Sequence, residues 1–80
     1  MKIGEFAKMC GTKISVLRHY DKEKLLVPEH TDIFSGYRYY TSEQILIFHR
    51  ITALKKAGFS LQDIREIISS DKTNEEINEL

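Results

Sequence analysis

The sequence predicts a mainly α-helical fold with one small β-hairpin, in the order helix, helix, hairpin, helix, helix. Three observations lead to this prediction. Apolar residues recur every three or four positions in several segments, glycines or capping patterns lie at the ends of these segments, and a central segment has strand-forming residues around a Ser-Gly turn. Eighty residues suffice for one small domain, near the size at which a single core is only marginally sufficient.

The first two predicted helices form a helix-turn-helix. Residues 3–10 place apolar side chains at helical spacing, and Gly11 can end this helix because glycine adopts the left-handed conformation without strain. Thr12 can cap the second helix, whose apolar positions continue at three-residue steps from Ile14. The small side chain of Ala7 allows the two helices to cross closely. An ordinary pair of antiparallel helices is the alternative.

A β-hairpin is predicted after the second helix. Pro28 ends the helical pattern because proline disfavours helix in the residue before it, and Ser35-Gly36 provides turn chemistry between two strand-like segments. Two strands alone are marginally stable in water. We therefore expect the hairpin to pack on the helices through Ile33, Phe34 or a tyrosine.

The third and fourth helices each begin with a recognisable cap. Thr41 followed by Gln44 has the spacing of a capping box, and the helix that follows is expected to end at Gly58. Ser60 followed by Asp63 has the same spacing and precedes a second amphipathic pattern.

The last part of the chain is predicted to form a separate element. The segment "SSDKTN" breaks the apolar pattern, and Thr73 begins one more short helix. A helix of about two turns is unstable alone, so we expect it to continue in a longer parent protein. The predicted organisation is a domain over residues 1–70 and a linker with a truncated helix over residues 71–80.

The net charge of zero conceals an asymmetry along the chain. Residues 1–60 carry ten basic and six acidic side chains, a net charge of +4, whereas residues 61–80 have a net charge of −4. A positive front favours an anionic partner. Ordinary solvated surface charge is the alternative.

Several classes of protein are disfavoured. Cys10 is the only cysteine, so no internal disulfide and no cysteine-based metal site is expected, which fits a reducing cytosol. No apolar run has the length of a membrane span or signal peptide. No paired carboxylates or glycine-rich phosphate loop indicate an enzyme, and no cofactor is expected. The three scattered histidines are interpreted as surface or packing residues.

The segment "SGYRYY" at residues 35–40 suggests a nucleic-acid partner. A hydrophobic core has use for its tyrosine rings, but not for Arg38 between them. A wing that contacts a phosphate backbone explains both residue types. Arg18 and Tyr20 lie on the helix that a helix-turn-helix presents to DNA.

Three segments in this order, "IGEFAKMCGTKISVLRHYDKEKLL", "SGYRYYT" and "GFSLQDI", strongly resemble the N-terminal DNA-binding domain of MerR-family bacterial transcription regulators. The resemblance runs from Ile3 to about Ile68. It implies a winged helix-turn-helix fold, a cytoplasmic, nucleoid-associated location, and a homodimer formed through a long helix that starts near Thr73. It also implies binding to an inverted repeat in a promoter with an overlong spacer, whose distortion lets RNA polymerase engage.

The resemblance also implies roles for single residues. Arg18 matches an arginine of the recognition helix, Tyr20 a tyrosine that contacts phosphate, and Tyr37 with Arg38 the pair that holds the sugar-phosphate backbone. The basic side chains of the third helix resemble those of a second wing, although they can also stabilise the helix C-terminus. The candidate DNA-contacting residues are Lys13, Ser15, Val16, Arg18, His19, Tyr20, Tyr37, Arg38, Tyr39, Arg50, Lys55 and Lys56.

The sequence also departs from the family pattern. Lys13 replaces a small capping residue, so the cap is expected at Thr12; Val16 stands where threonine is common, and His19 where tyrosine is frequent. In the wing, Asp32 weakens the expected attraction for phosphate. A MerR-like module that binds a chaperone partner and an excisionase-like architectural protein remain alternatives.

Overall fold

The computed structural model describes the backbone of residues 1–79 and the side chains of residues 1–70. Four helices and one antiparallel two-stranded sheet follow the predicted order, which confirms the fold class. The elements are α1 (Ile3–Cys10), α2 (Ile14–Lys22), β1 (His30–Thr31), β2 (Arg38–Tyr39), α3 (Glu43–Lys56) and α4 (Leu61–Glu79). Among the residues described, no helix is long and apolar enough to cross a membrane.

One core joins all parts of this fold. Its largest fully buried side chains are Phe6 of α1, Leu17 of α2, Ile51 of α3, Ile64 of α4, and Tyr40, which follows β2. Every helix and the hairpin therefore contribute to the same apolar cluster. In a domain this small, burial in a single shared core ties the orientation of each element to that of the others.

The turn between α1 and α2 forms around Gly11, as predicted. Gly11 has a φ of 71°, and its N–H faces the carbonyl oxygens of Ala7 and Lys8. The predicted cap at Thr12 is wrong, because Lys13 occupies the N-cap position of α2 and makes no side-chain capping bond. The N–H of Thr12 donates to the Ala7 carbonyl at 2.9 Å, so Thr12 belongs to the end of α1.

The tip of the hairpin is ordered by local hydrogen bonds. Strands β1 and β2 pair in a register that places Thr31 opposite Arg38. In the connection between them, Oδ1 of Asp32 accepts hydrogen bonds from the N–H groups of Phe34 (2.8 Å) and Ser35 (3.0 Å). These bonds lower the pKa of Asp32, that from Ser35 most, because they stabilise its charged form.

Tyr40 anchors the hairpin on the helices, and Ile33 and Phe34 do not. Of the contacts expected from the sequence, that of a tyrosine is confirmed, whereas those of Ile33 and Phe34 are wrong, since these two residues are 87% and 94% exposed. The Tyr40 ring stacks on Phe6 with a centroid distance of 4.3 Å, and its N–H donates to the Met1 carbonyl at 2.6 Å. The strands have only two residues each, and the tip between them stays outside the shared core.

Helices α3 and α4 begin close to the predicted positions. Gln44 accepts a hydrogen bond from the Thr41 N–H at 3.0 Å, but the Thr41 side chain does not return one, so the predicted capping box forms in half. Ser60 Oγ accepts from the Asp63 N–H at 3.1 Å, which confirms that cap. Gly58 follows α3 with a φ of 94°, as expected of a helix end.

The predicted break in the last helix is wrong. Helix α4 runs without interruption through the segment 69–74 to Glu79, so no separate helix begins at Thr73. The segment "SSDKTN" contains neither proline nor glycine, and its polar residues interrupt the apolar pattern without interrupting the backbone. The domain boundary at residue 70 stays a prediction, and the side chains of residues 71–80 lie outside the described residues.

Candidate nucleic-acid interface

Helix α2 presents a polar face to solvent. Its exposed residues include Ser15, Arg18 and His19, while Leu17 is fully buried beneath them. Val16 is half-buried and packs against the core, so little of it is available to a thymine methyl group. This face follows from the helical period, since Leu17 faces the core and Ser15, Arg18 and His19 lie on the opposite side of the helix. Lys13 is exposed just before the helix.

Tyr20 lies in the core rather than on the polar face of α2. It is 3% exposed, and its ring centroid lies 5.8 Å from that of Phe48. The Lys55 ammonium group lies 5.2 Å from the Tyr20 ring centroid, a cation–π contact between the end of α3 and α2. This burial leaves the Tyr20 ring little surface for a nucleic acid, and its contact with phosphate stays a prediction.

Arg38 connects the wing to α2. Its Nε donates to Oδ2 of Asp21 at 3.0 Å, and both side chains are partly buried, at 37% and 21% exposed. An ion pair this exposed contributes little to stability, about 1 kcal/mol or less, but it orients the guanidinium. The role of Asp21 could not be predicted from the sequence, because no local pattern pairs residues 17 positions apart.

Lys2, just before α1, also contacts the wing. Its ammonium group lies 4.4 Å from the centroid of the exposed Tyr37 ring. Its backbone forms an isolated antiparallel bridge with Tyr39, so the residue before α1 extends the hairpin. This residue was also missed, since nothing in the sequence relates position 2 to position 37.

The wing, α1 and α2 surround one open concavity of about 510 Å³. Three cationic side chains line it, those of Lys2, Arg18 and Arg38, and Tyr37 lies beside them. Glu5 is the acidic side chain of this lining. The structure therefore brings the arginine of the recognition helix and the arginine of the wing to the same surface, as their predicted roles require.

The remaining candidate residues lie elsewhere. Tyr39 is half-buried, with its ring centroid 6.0 Å from that of His30 on β1. Arg50, Lys55 and Lys56 are exposed on α3 and do not line the concavity. Any contact of these three residues with DNA requires the duplex to extend beyond the concavity.

Helix α4 supports the end of α2 through Arg65, a residue that was not predicted as part of the site. Arg65 donates from Nε at 3.0 Å and from Nη2 at 2.6 Å to the backbone carbonyl of Glu23. Glu23 is the C-cap of α2, where carbonyl groups lack partners within the helix. A cation at this end also interacts favourably with the helix dipole. Arg65 therefore helps to position the recognition helix.

Burial in the core changes the pKa of Tyr40 and of Cys10. Burial raises the pKa of the Tyr40 hydroxyl, and the charge of Asp21 raises it further. This hydroxyl is buried and has no hydrogen-bond partner within the described part of the chain. Burial also raises the pKa of the Cys10 thiol, which is a small core residue as predicted. Within the described residues, no three side chains of metal-binding type cluster.

Known proteins with similar sequences are transcription regulators. The chain is 38% identical over 64 residues to the multidrug-efflux transporter 1 regulator of Bacillus subtilis, which covers 80% of this chain and 23% of that protein. The chain thus spans about a quarter of that relative.

Solved structures show the same fold. The crystal structure of a MerR-family transcriptional regulator from Bacillus cereus matches with a TM-score of 0.73 and 37% identity, over 85% of this chain and 50% of that one. HiNmlR, a MerR-family regulator lacking the sensor domain and bound to promoter DNA, matches with a TM-score of 0.71 and 32% identity, over 84% of this chain and 54% of that one.

The family described as MerR HTH family regulatory protein matches residues 1–71. This match covers both halves of the helix-turn-helix, the wing, α3 and the first half of α4. The predicted resemblance is therefore confirmed, and the chain belongs to the MerR family of helix-turn-helix regulatory proteins.

Proposed function

We propose that this chain binds double-stranded promoter DNA as the recognition domain of a bacterial transcription regulator. The observation that carries the proposal is the concavity in which Arg18 of α2 and Arg38 of the wing meet. A helix that enters a groove and a wing that contacts the backbone need cationic groups on one common side. The structure of HiNmlR bound to promoter DNA supports this proposal by similarity of fold.

In this proposal, the polar face of α2 enters the major groove. A helix fits there, and its first residues contact base edges. Lys13, Ser15 and His19 are exposed beside Arg18. The planar guanidinium of Arg18 can form paired hydrogen bonds with the O6 and N7 atoms of a guanine or with a phosphate.

The wing holds the sugar-phosphate backbone next to this groove. Asp21 orients Arg38 by accepting a hydrogen bond from its Nε. The outer edge of the guanidinium then remains to face a phosphate. Tyr37 is 54% exposed and carries a hydroxyl that can donate to a phosphate oxygen. Such contacts fix the register of the protein on the duplex but do not read its sequence.

The parent protein is proposed to act as a homodimer on an inverted repeat in the cytoplasm, at the nucleoid. The chain covers 23% to 54% of three of its relatives, and the longer protein is proposed to dimerise through the part of α4 beyond residue 70 and its continuation. Two copies would distort an overlong promoter spacer until RNA polymerase engages it. Such a modest bend costs about 1–6 kcal/mol, which contacts from both wings would offset.

Two experiments test the proposal. Duplexes that the chain binds are first selected from a random pool, and the affinity for the selected sequence is then measured by fluorescence anisotropy. Replacing Arg18→Ala is expected to weaken binding by about 1–3 kcal/mol, roughly 5- to 150-fold, and to relax base preference near its contact. Lys24→Ala is the matched control, because Lys24 is exposed after α2 and does not line the concavity. Equal affinities for the two variants would refute the role of Arg18.

The same measurement separates DNA binding from the alternative of a module that binds a protein partner. Affinity for the selected duplex should fall steeply as salt is added, since phosphate contacts release counterions. A chain that enriches no sequence and binds no duplex at low salt would exclude the proposed function and favour a protein-binding module.

A further inference from the structure

The concavity between α1, α2 and the wing contains a residue that the proposed DNA contacts do not use. Lys2 lines it together with Arg18 and Arg38. These three cations come from three different parts of the chain, and the Asp21 carboxylate is already engaged by Arg38. Glu5 is the remaining acidic group of the lining. The concavity therefore carries an excess of positive charge.

The position of Lys2 is well determined by its neighbours. Its carbonyl accepts a hydrogen bond from the Phe6 N–H at 2.9 Å, and its backbone bridges to Tyr39. Its ammonium group lies over the Tyr37 ring at 4.4 Å from the centroid, a contact that contributes about 0.5–1 kcal/mol at exposed sites. Lys2 is thus held beside the wing before any partner binds, which lowers the ordering cost of an added contact.

Positive groups held together repel one another unless an anion lies between them. The concavity is open to solvent, and its lining includes Arg18, an exposed residue of the proposed groove-binding helix. Of the groups that a duplex presents, the backbone phosphate carries the negative charge. A compact ammonium group suits such a point-like anion.

We propose that Lys2 and Arg38 together hold one backbone phosphate of double-stranded DNA, next to the base pair that Arg18 contacts. This inference rests on the proposed function and adds to it a site at the start of α1. Tyr37 lies under the ammonium group and at the edge of the same site. Lys2 therefore strengthens binding to all sequences and contributes no base preference.

The first test compares Lys2→Gln with Lys24→Gln, two variants that each remove one positive charge. Binding of the selected duplex is measured by fluorescence anisotropy over a range of KCl concentrations. Lys2→Gln is expected to weaken binding about five- to tenfold on selected and random duplexes alike, and to reduce the salt slope by about 1. Lys24→Gln is expected to retain the wild-type slope.

The second test locates the phosphate. Methylphosphonate groups, which are uncharged, replace single phosphates of the selected duplex one position at a time. For the wild-type chain, replacement of the phosphate at one position should lower the affinity for the duplex. The same replacement should not lower the affinity of Lys2→Gln, whereas Lys2→Arg should lose affinity as the wild type does. The proposal would be overturned if each methylphosphonate lowered the affinity of Lys2→Gln as much as that of the wild type. It would also be overturned if Lys2→Gln weakened binding to one base sequence only.

The outcomes distinguish this inference from the proposed function. If the wild type binds and Arg18→Ala weakens binding, but Lys2→Gln matches Lys24→Gln, only the phosphate site is wrong. If the wild type binds no duplex at low salt, both proposals fail. Thermal unfolding of each variant shows whether it is folded, and a Lys2→Arg variant that stays folded but loses affinity like Lys2→Gln would also refute the site.

Discussion

The wing root and the wing tip both contain aromatic side chains, but they differ in burial and in the contacts that hold them. At the wing root, residues 38–40, Tyr40 is 1% exposed; at the wing tip, residues 32–37, Ile33 and Phe34 are 87% and 94% exposed. The root is held by other elements, through the Phe6 ring and the Met1 backbone. The turn of the tip is ordered by its own Asp32 carboxylate, and the exposed Tyr37 ring at its end contacts the Lys2 ammonium group.

The wing root therefore contributes to the stability of the domain, whereas the wing tip determines the local shape of the surface that the wing exposes. Burial of Tyr40 in the shared core ties the wing to the helices, so damage at the root should unfold the domain. The tip adds no packing to that core, so changes there should alter only the local shape of the wing. Substitutions at the wing root and at the wing tip can test this difference separately.

The largest effect is expected for Tyr40→Ala. Loss of a buried aromatic ring should lower the free energy of unfolding by about 3–5 kcal/mol, because the ring stacks on Phe6 and fills the core. Urea unfolding followed by circular dichroism measures it. Tyr39→Ala is the control, since Tyr39 is half-buried, and a similar loss for both variants would show that the root has no single anchor.

A smaller effect of opposite sign is expected for Tyr40→Phe. This change keeps the stack on Phe6 and removes a buried hydroxyl that has no partner among the described residues. An unsatisfied buried polar group costs about 1–3 kcal/mol, so the free energy of unfolding should rise by about 1 kcal/mol. A clear loss of stability would indicate that the hydroxyl makes a hydrogen bond that the structure does not contain.

A local effect of pH is expected at the wing tip. The pKa of Asp32 is lowered from its ordinary value of 3.8, so its stabilisation of the turn is complete above that value. It is lost as the pH falls through the lowered pKa, when the carboxylate is protonated. The amide signals of Phe34 and Ser35 in NMR spectra should shift there and their exchange protection should fall. Asp32→Ala should remove this transition, and its persistence in that variant would assign it to another group.

The smallest effect is expected for Phe34→Ser. A side chain that is 94% exposed loses almost no burial on substitution, and the free energy of unfolding should change by less than about 0.5 kcal/mol. Phe6→Ser, at a fully buried position, should be strongly destabilising in the same urea series. A comparable loss for Phe34→Ser would mean that the wing tip packs on the domain.

Local patterns were sufficient where the structure depends on neighbouring residues. Gly11 and Ser60 lie where the prediction placed a helix end and a helix cap, because capping involves residues only a few positions apart. The exposure of Arg18 and the burial of Leu17 follow from the helical period. The same approach failed at "SSDKTN", where polar residues were interpreted as a break although the backbone remains helical.

The order of the elements, the family and the outward face of α2 could be predicted from the sequence, since helical period, caps and motif spacing are local properties. The anchoring of the wing by Tyr40 rather than Phe34, and the contact of Lys2 with Tyr37, could be found only in the folded structure. The same holds for the pairing of Arg38 with Asp21 and of Arg65 with the Glu23 carbonyl. These contacts join residues 17 to 42 positions apart, and they form only once the shared core has set how the elements cross.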